Sequence, residues 1–275
     1  MRILSAFLLG AMAWAQPPVP IFPSDRKSPK QSAGAELLEV VCPGHVVAGD
    51  KPRCEILCPE FTSFAEAKFD WELTAVTRGH FLAPQSDDVA LSMLGCESHS
   101  DNWGGTILLT RKSGKWTLLW YKPGIDTTQC HKVALRTSRE ILVCLGVWGA
   151  QGSLTTELYV EDFQSPTGNL MAGDGQGFFS IFDNSLACGE DTADESKPGP
   201  MIYGFIERVE FRSTRVAVTA ARGESEMKPA DVAACTAEIK KGNHGWNFLP
   251  APKRYRIDFQ FEIGLPFIHQ CRVRS

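Results

Sequence analysis

The fold class of this chain follows from one stretch, Thr106-Ile-Leu-Leu-Thr-Arg-Lys-Ser-Gly-Lys-Trp-Thr-Leu-Leu-Trp-Tyr121. Two short runs of apolar, β-branched and aromatic residues flank the polar turn Lys112-Ser-Gly114, which predicts two strands joined by a tight loop. Further runs of this kind, most of them bounded by turn residues, occupy positions 71–77, 88–94, 131–135, 140–144, 154–160, 178–182, 206–211, 215–219 and 255–261. Short strands at this spacing predict an all-β domain.

Two arrangements of these antiparallel strands fit the pattern. A small or incomplete β-propeller-like array is the first interpretation, and a β-sandwich is the second. One helix interrupts the strands at 228–242, where a proline lies near the first turn, lysines lie in the last turn and Gly242 follows. We expect this helix to be an insertion between two strands of one sheet.

A weak internal repeat favours the array. Residues 132–143 resemble residues 208–218, since in each copy a strand ends in arginine, a polar turn follows and a second strand returns. This is the pattern of one β-hairpin used twice. A looser third copy begins near residue 78, and chance similarity among β-rich segments is the alternative explanation.

One segment, over about residues 76–94, contains the stretch Gly79-His-Phe-Leu-Ala-Pro-Gln-Ser-Asp-Asp-Val-Ala-Leu91. This segment resembles the repeat of FG-GAP and VCBS-type β-propellers. Gly79, Phe81, Asp88 and the apolar strand match that repeat. The acidic calcium loop does not match, because Leu82-Ala-Pro-Gln85 stands in place of carboxylates and calcium needs several oxygen ligands at one point. The resemblance implies an extracellular scaffold that binds proteins or sugars and that has lost the metal in this copy.

The first fifteen residues predict a cleavable export signal. Arg2 precedes a short apolar run, and Ala13-Trp-Ala15 has the small-x-small pattern of a signal-peptidase site. Residues 16–35 are rich in proline, serine and lysine and predict a flexible leader. Residues 36–60 predict a cysteine-rich cap, and the all-β domain is expected over 61–275. We expect an extracytoplasmic protein, periplasmic or secreted, with no transmembrane segment after signal removal.

Nine cysteines are many for a cytosolic chain and, together with an export signal, indicate disulfides. An odd number leaves at least one cysteine without a partner in the chain. The positions suggest three bridges: Cys130 with Cys144 across the predicted hairpin, Cys188 with Cys235 between helix and sheet, and Cys42 with either Cys54 or Cys58 in the cap. Cys96 is the rival partner of either hairpin cysteine.

The net charge and the absence of known motifs exclude several classes of ligand and enzyme. Loss of Arg2 with the signal takes the formal net charge from −4 to −5, and a mildly acidic chain without a long Lys/Arg run has no general attraction to nucleic acid or anionic lipid. The chain lacks the His-Glu-x-x-His motif of zinc proteases, the Gly-x-Ser-x-Gly elbow of serine hydrolases and the phosphate-binding loop. No cofactor or metal site is indicated.

Three functions remain after these exclusions, and one of them, an envelope structural element, differs from a binding protein only in lacking a ligand face. Trp103 and Trp148 lie in glycine-rich turns, where aromatic rings can stack on a sugar or bind a protein, and where they can equally fill the ends of a β-fold. A non-catalytic binding or scaffold protein with an unknown protein or carbohydrate ligand is the first interpretation. The alternative is a secreted hydrolase, for instance one acting on glycans, in which acids such as Asp87-Asp88 or Glu161-Asp162 converge in a cleft.

Overall fold

The computed structural model describes residues 21–98, 104–124, 129–150, 152–164, 178–189, 199–241, 253–263 and 268–274. Within these ranges the chain forms fourteen β-strands and two α-helices. Every strand pair within a sheet is antiparallel. The predicted all-β class with antiparallel strands is therefore confirmed.

The first sheet has six strands in sequence order. They are β1 (Val46–Val47), β2 (Arg53–Cys54), β3 (Trp71–Gly79), β4 (Asp88–Leu94), β5 (Gly104–Lys112) and β6 (Lys115–Pro123). In the β5–β6 hairpin Lys112 pairs with Lys115, and the two turn residues Ser113 and Gly114 have φ angles of 50° and 82°. Two consecutive positive φ angles give a turn whose twist matches that of the strands, and glycine adopts such an angle without steric strain.

The second and third sheets have four strands each, again in sequence order. The second contains β7 (Gln129–Ala134), β8 (Glu140–Ala150), β9 (Ser153–Glu161) and β10 (Phe179–Asp183). The third contains β11 (Met201–Arg212), β12 (Arg215–Ser225), β13 (Lys253–Ile263) and β14 (Ile268–Arg274). The helix α2 (Pro229–Lys240) connects β12 to β13, which are neighbours in the third sheet, so the predicted helical insertion is present.

The second sheet lies between the other two. Residues of β8 alternate between two cores, because successive side chains of a strand point to opposite faces. Ile141, Val143 and Leu145 pack in the core shared with the third sheet, whereas Leu142 and Cys144 pack in the core shared with the first. Burial on both faces explains the almost continuous apolar run of this strand in the sequence.

The cap expected at 36–60 is part of the first sheet and its outer covering. The strands β1 and β2 extend that sheet beyond β3. A short helix that the sequence analysis did not predict, α1 (Gly34–Leu38), buries Leu37 and Leu38 against Trp71 and Leu73 of β3. The cap thus covers the face of the first sheet that points away from the second.

Eight of the nine cysteines form four disulfides, which are Cys42–Cys54, Cys58–Cys96, Cys130–Cys144 and Cys188–Cys235. The bridges suggested across the hairpin and at the helix are both present. Pairing of Cys42 with Cys58 is wrong, and so is the suggested pairing of Cys96 with a hairpin cysteine, because residues 58–67 fold over the end of β4 and bring Cys58 to Cys96. The ninth cysteine, Cys271, lies in β14. Four disulfides fit an oxidising environment outside the cytoplasm.

Residues 21–27, here called the N-terminal strap, lie in the predicted flexible leader and are instead bonded to all three sheets. One backbone N–H in each part of the strap donates to a different sheet: Ile21 to Glu207 of β11 (3.0 Å), Asp25 to Cys130 of β7 (2.8 Å) and Lys27 to Val76 of β3 (3.0 Å). The ring of Phe22 packs edge-on against Phe211 at 5.6 Å between centroids. A segment held mainly through its backbone needs few apolar side chains, so its composition resembles that of a flexible segment.

Candidate functional site

The segment 57–69 exposes large apolar side chains on the cap. Leu57, Phe61, Phe64 and Phe69 are 37–56% exposed, and they are four of the nine exposed large hydrophobic residues in the described part of the chain. The rings of Phe64 and Phe69 lie 5.3 Å apart. Single exposed apolar residues are ordinary, but several in one short segment make that segment a candidate interaction site. We call these four residues the aromatic cap surface.

The backbone under the aromatic cap surface is tied to the first sheet. The Cys58–Cys96 disulfide joins the segment to the residues after β4. Phe64 N donates to Cys96 O at 3.2 Å, Cys58 N donates to Ala67 O at 2.8 Å and Glu66 N donates to Cys58 O at 2.9 Å. These bonds close 58–67 into one compact loop, so its rings are displayed from a fixed backbone.

A buried carboxylate adds a side-chain tether to the same loop. Glu97 is almost fully buried and accepts hydrogen bonds from Tyr121 Oη of β6 (2.6 Å) and from both the backbone N–H (3.1 Å) and the hydroxyl of Ser63. The ring of Phe61 in turn packs 5.0 Å from that of Tyr121 and 6.0 Å from that of Trp71. A buried polar side chain is costly to leave without hydrogen bonds, so these three bonds to Glu97 fix the loop on the sheet.

The surroundings of the aromatic cap surface are acidic. The segment 55–70 carries four exposed acids, Glu55, Glu60, Glu66 and Asp70, and one exposed base, Lys68, which gives a formal charge of 1 − 4 = −3. Arg53, just outside the segment, lies 2.9 Å from Glu55 and 3.8 Å from Asp70 and offsets one of their charges, so the formal charge over residues 53–70 is 2 − 4 = −2. The surface therefore combines exposed rings with an excess of negative charge.

A second unusual group lies between the first and second sheets. Glu161 is 0% exposed, and neither carboxyl oxygen has a hydrogen-bond partner among the described residues. It stands opposite Leu142 in the β8–β9 ladder, on the face of the second sheet that meets the first. Burial raises the pKa of Glu161 to about 8, against a smaller opposing effect of the Lys122 charge. Burial likewise lowers the pKa of Lys122, which lies on β6.

In each acid doublet considered for catalysis, Asp87-Asp88 and Glu161-Asp162, the two carboxyl groups lie in different environments. Asp162, next to Glu161, forms a buried two-point ion pair with Arg139 at 2.6 and 2.7 Å. Asp88 is also buried and accepts hydrogen bonds from Leu82 N (2.8 Å), Thr110 Oγ1 (2.7 Å) and the Ser86 hydroxyl, which hold the loop before β4 in place. Neither doublet presents two carboxyls to a common exposed surface.

The tryptophans considered as ligand-facing residues fall outside what the structure describes. Trp103 lies outside the described residues, and for Trp148 only the backbone is described, in β8 opposite Thr155. Sequence reasoning did not identify Phe61, Phe64 and Phe69. Their signal was three phenylalanines within nine residues that follow Cys58-Pro59 and do not alternate with polar residues as a strand would.

Comparisons with known proteins give no family. No protein-family model matches the chain, and no curated protein and no solved structure matches it. In the described ranges no helix combines the length and apolar character needed to cross a membrane. Among those same residues, no three His, Cys, Asp or Glu side chains cluster as metal ligands would.

Proposed function

We propose that this chain is an exported, non-catalytic binding protein that acts in the periplasm or outside the cell and holds its ligand on the aromatic cap surface. The observation that carries this proposal is the display of Phe61 and Phe64 on the loop 58–67, which the Cys58–Cys96 disulfide ties to the first sheet, with the exposed ring of Phe69 packed against Phe64. Aromatic side chains dominate the energetics of protein interfaces and also stack on sugars.

The rigidity of the loop favours a binding surface over rings that are exposed without a function. A flexible loop loses conformational freedom when it binds, which weakens the complex, whereas a loop already fixed by a disulfide and by Glu97 loses little. Exposure of apolar rings to water costs free energy. Phe64 and Phe69 lie outside the buried clusters of the described residues, so this exposure does not stabilise the fold.

The test compares ligand selection by the parent protein and by a Phe64→Ser/Phe69→Ser double variant. Oxidised, purified protein is used to select from a displayed peptide library and from a glycan array. We expect the parent to retain ligands and the double variant to lose them, while a Phe182→Ser control on β10, also an exposed ring, keeps them. Failure of the parent to retain any ligand, or equal retention by the double variant, would refute the proposal.

We infer further that the three sheets act as a scaffold of repeated units related to FG-GAP and VCBS repeats. The inference is supported by the up-and-down strand order that all three sheets share, with six strands in the first sheet and four in each of the others. It is supported also by Asp88, whose hydrogen bonds shape the loop in which the related repeats bind calcium. A binding protein built on such a scaffold would present its ligand site on loops and caps, as this chain does.

The alternative proposal, a secreted hydrolase, has one observation in its favour, which is the raised pKa of Glu161. A general acid needs such a pKa, but it must also reach its substrate, and Glu161 is sealed between two sheets. Hydrolysis of any member of a polysaccharide panel by the parent protein, with loss of that activity in Glu161→Gln, would favour the enzyme over the binding protein.

A further inference from the structure

We propose that the ligand of the aromatic cap surface is a polypeptide segment that is both basic and apolar. This inference rests on the proposed function and specifies its partner. The surface offers two kinds of recognition side by side: exposed phenylalanine rings and an acidic surrounding with a formal charge of −3 over residues 55–70.

Charge selects the class of partner. Glu55, Glu60, Glu66 and Asp70 are all exposed. Arg53 pairs with Glu55 and Asp70 and offsets one of their charges, so the formal charge over residues 53–70 is 2 − 4 = −2. Glu60 lies next to Phe61 in the chain, Asp70 lies next to Phe69, and Glu66 lies two residues after Phe64. Charges on a surface act over about 8 Å at physiological ionic strength, so a ligand on these rings also feels the neighbouring acids. Such a field attracts lysine and arginine and repels nucleic acid and anionic lipid headgroups.

The rings select an apolar component within that basic segment. Phe64 and Phe69 are tilted by 41° at 5.3 Å, an arrangement whose faces accept either an aliphatic side chain or the cation of lysine or arginine. A neutral glycan would use the rings but gain nothing from the four acids. A segment with alternating basic and apolar side chains uses both features, which is why we prefer it to a sugar.

The loop is fixed before the ligand binds, and this determines how we expect such a segment to bind. The Cys58–Cys96 disulfide, the backbone bonds of residues 58–67 and the Glu97 network hold the surface before the ligand arrives. We therefore expect binding without a change in the backbone of the loop, and an association rate that falls as salt is added.

The experiment uses the oxidised full chain and three synthetic probe peptides of equal length. The first alternates lysine and leucine, the second replaces each lysine by glutamate, and the third replaces each leucine by serine. We expect the lysine–leucine peptide to bind at least about ten-fold more tightly than either of the others, by fluorescence anisotropy, and to weaken as salt is raised.

Matched variants separate the charge from the rings. Glu60→Gln/Glu66→Gln should weaken the lysine–leucine peptide by about three- to ten-fold, whereas Phe64→Ser/Phe69→Ser should weaken it by about thirty-fold or more. Glu226→Gln, an exposed acid before α2, should have no effect. All variants are checked for four disulfides and for an unchanged circular dichroism spectrum.

The outcomes distinguish this inference from the proposed function. Equal binding of the glutamate–leucine peptide, or preferential binding of anionic lipid vesicles or of a glycan, would overturn the basic, apolar partner while leaving a binding surface in place. Failure of all three peptides would overturn the partner class alone if the library selection still yields a ligand that needs Phe64 and Phe69. Failure of both experiments would overturn the binding function as well.

Discussion

Replacement of Glu161 by glutamine should stabilise the protein at alkaline pH and change it little at acidic pH. Burial raises the pKa of Glu161 from 4.5 to about 8 in the folded protein, so the folded state keeps a proton that the unfolded chain releases. The contribution of that proton to stability is complete below about pH 4.5, declines as the pH rises and is gone above about pH 8. Glutamine is neutral at every pH and has nearly the same shape.

The size of the effect follows from the same values. A tenfold change in proton affinity is worth about 1.4 kcal/mol, so the span from 4.5 to about 8 sets an upper limit of about 5 kcal/mol. Local opening between the first and second sheets would hydrate the carboxylate and reduce the loss. We therefore expect Glu161→Gln to gain about 2–4 kcal/mol over the parent between mildly acidic and alkaline pH.

The assay is urea unfolding of both proteins with disulfides intact, followed by tryptophan fluorescence at about pH 5, 7 and 9. The quantity of interest is the difference in free energy of unfolding between variant and parent, because titrating groups that are not coupled to Glu161 cancel in it. Lys122 is coupled to Glu161, so its titration contributes to the difference. Glu36→Gln, on the exposed side of α1, is the control and should show no pH-dependent difference. A Glu161→Gln difference that is the same at all three pH values would refute a buried, protonated Glu161.

Three further predictions concern the elements that hold the fold and the loop. Joint replacement of Cys130 and Cys144 by serine should lower the free energy of unfolding by about 3 kcal/mol, since the bridge closes a 14-residue separation; thermal unfolding measures this, and an unchanged melting temperature would contradict it. Tyr121→Phe should lower stability by about 1–3 kcal/mol through the bond lost to Glu97, and hydrogen exchange should quicken at 58–67 and not in the third sheet. Phe22→Ala should lower stability by about 2 kcal/mol because it removes the ring that the strap packs between the second and third sheets; proteolysis near residue 22 should then be faster, and equal cleavage rates would argue against the strap.

Local features of the fold could be predicted because their causes lie within a few residues. The β5–β6 hairpin follows from two apolar runs around Ser113-Gly114, and α2 follows from Pro229 and the lysines at its end. The Cys130–Cys144 bridge belongs to the same class, since a hairpin with a short turn sets the register of its own strands. The bridge from Cys58 to Cys96 spans 38 residues, and no local rule brings its two ends together.

The candidate site was less accessible to such reasoning. Trp103 and Trp148 were selected because glycine-rich turns favour exposure, while the phenylalanines of segment 57–69 received no assignment because no motif or periodicity distinguishes them. Burial of a side chain depends on what covers it, and covering elements come from distant parts of the sequence. Glu97 and Tyr121, which fix the loop, are 24 residues apart and carry no sequence motif.

Most of the strands, the tight turns and the inserted helix can be predicted from the sequence, because side-chain alternation and backbone preference act between neighbours along the chain. Which faces of those strands meet depends on contacts between distant parts of the chain and becomes visible in the folded protein. Glu161 ends a strand and would be charged in water, but the first sheet covers it and thereby favours its neutral form. Phe64 and Phe69 are apolar, yet in the described part of the chain they remain 37% and 47% exposed. Water does not reach the Glu161 carboxyl but does reach the rings of Phe64 and Phe69. The packing of sheets and loops against one another produces this difference.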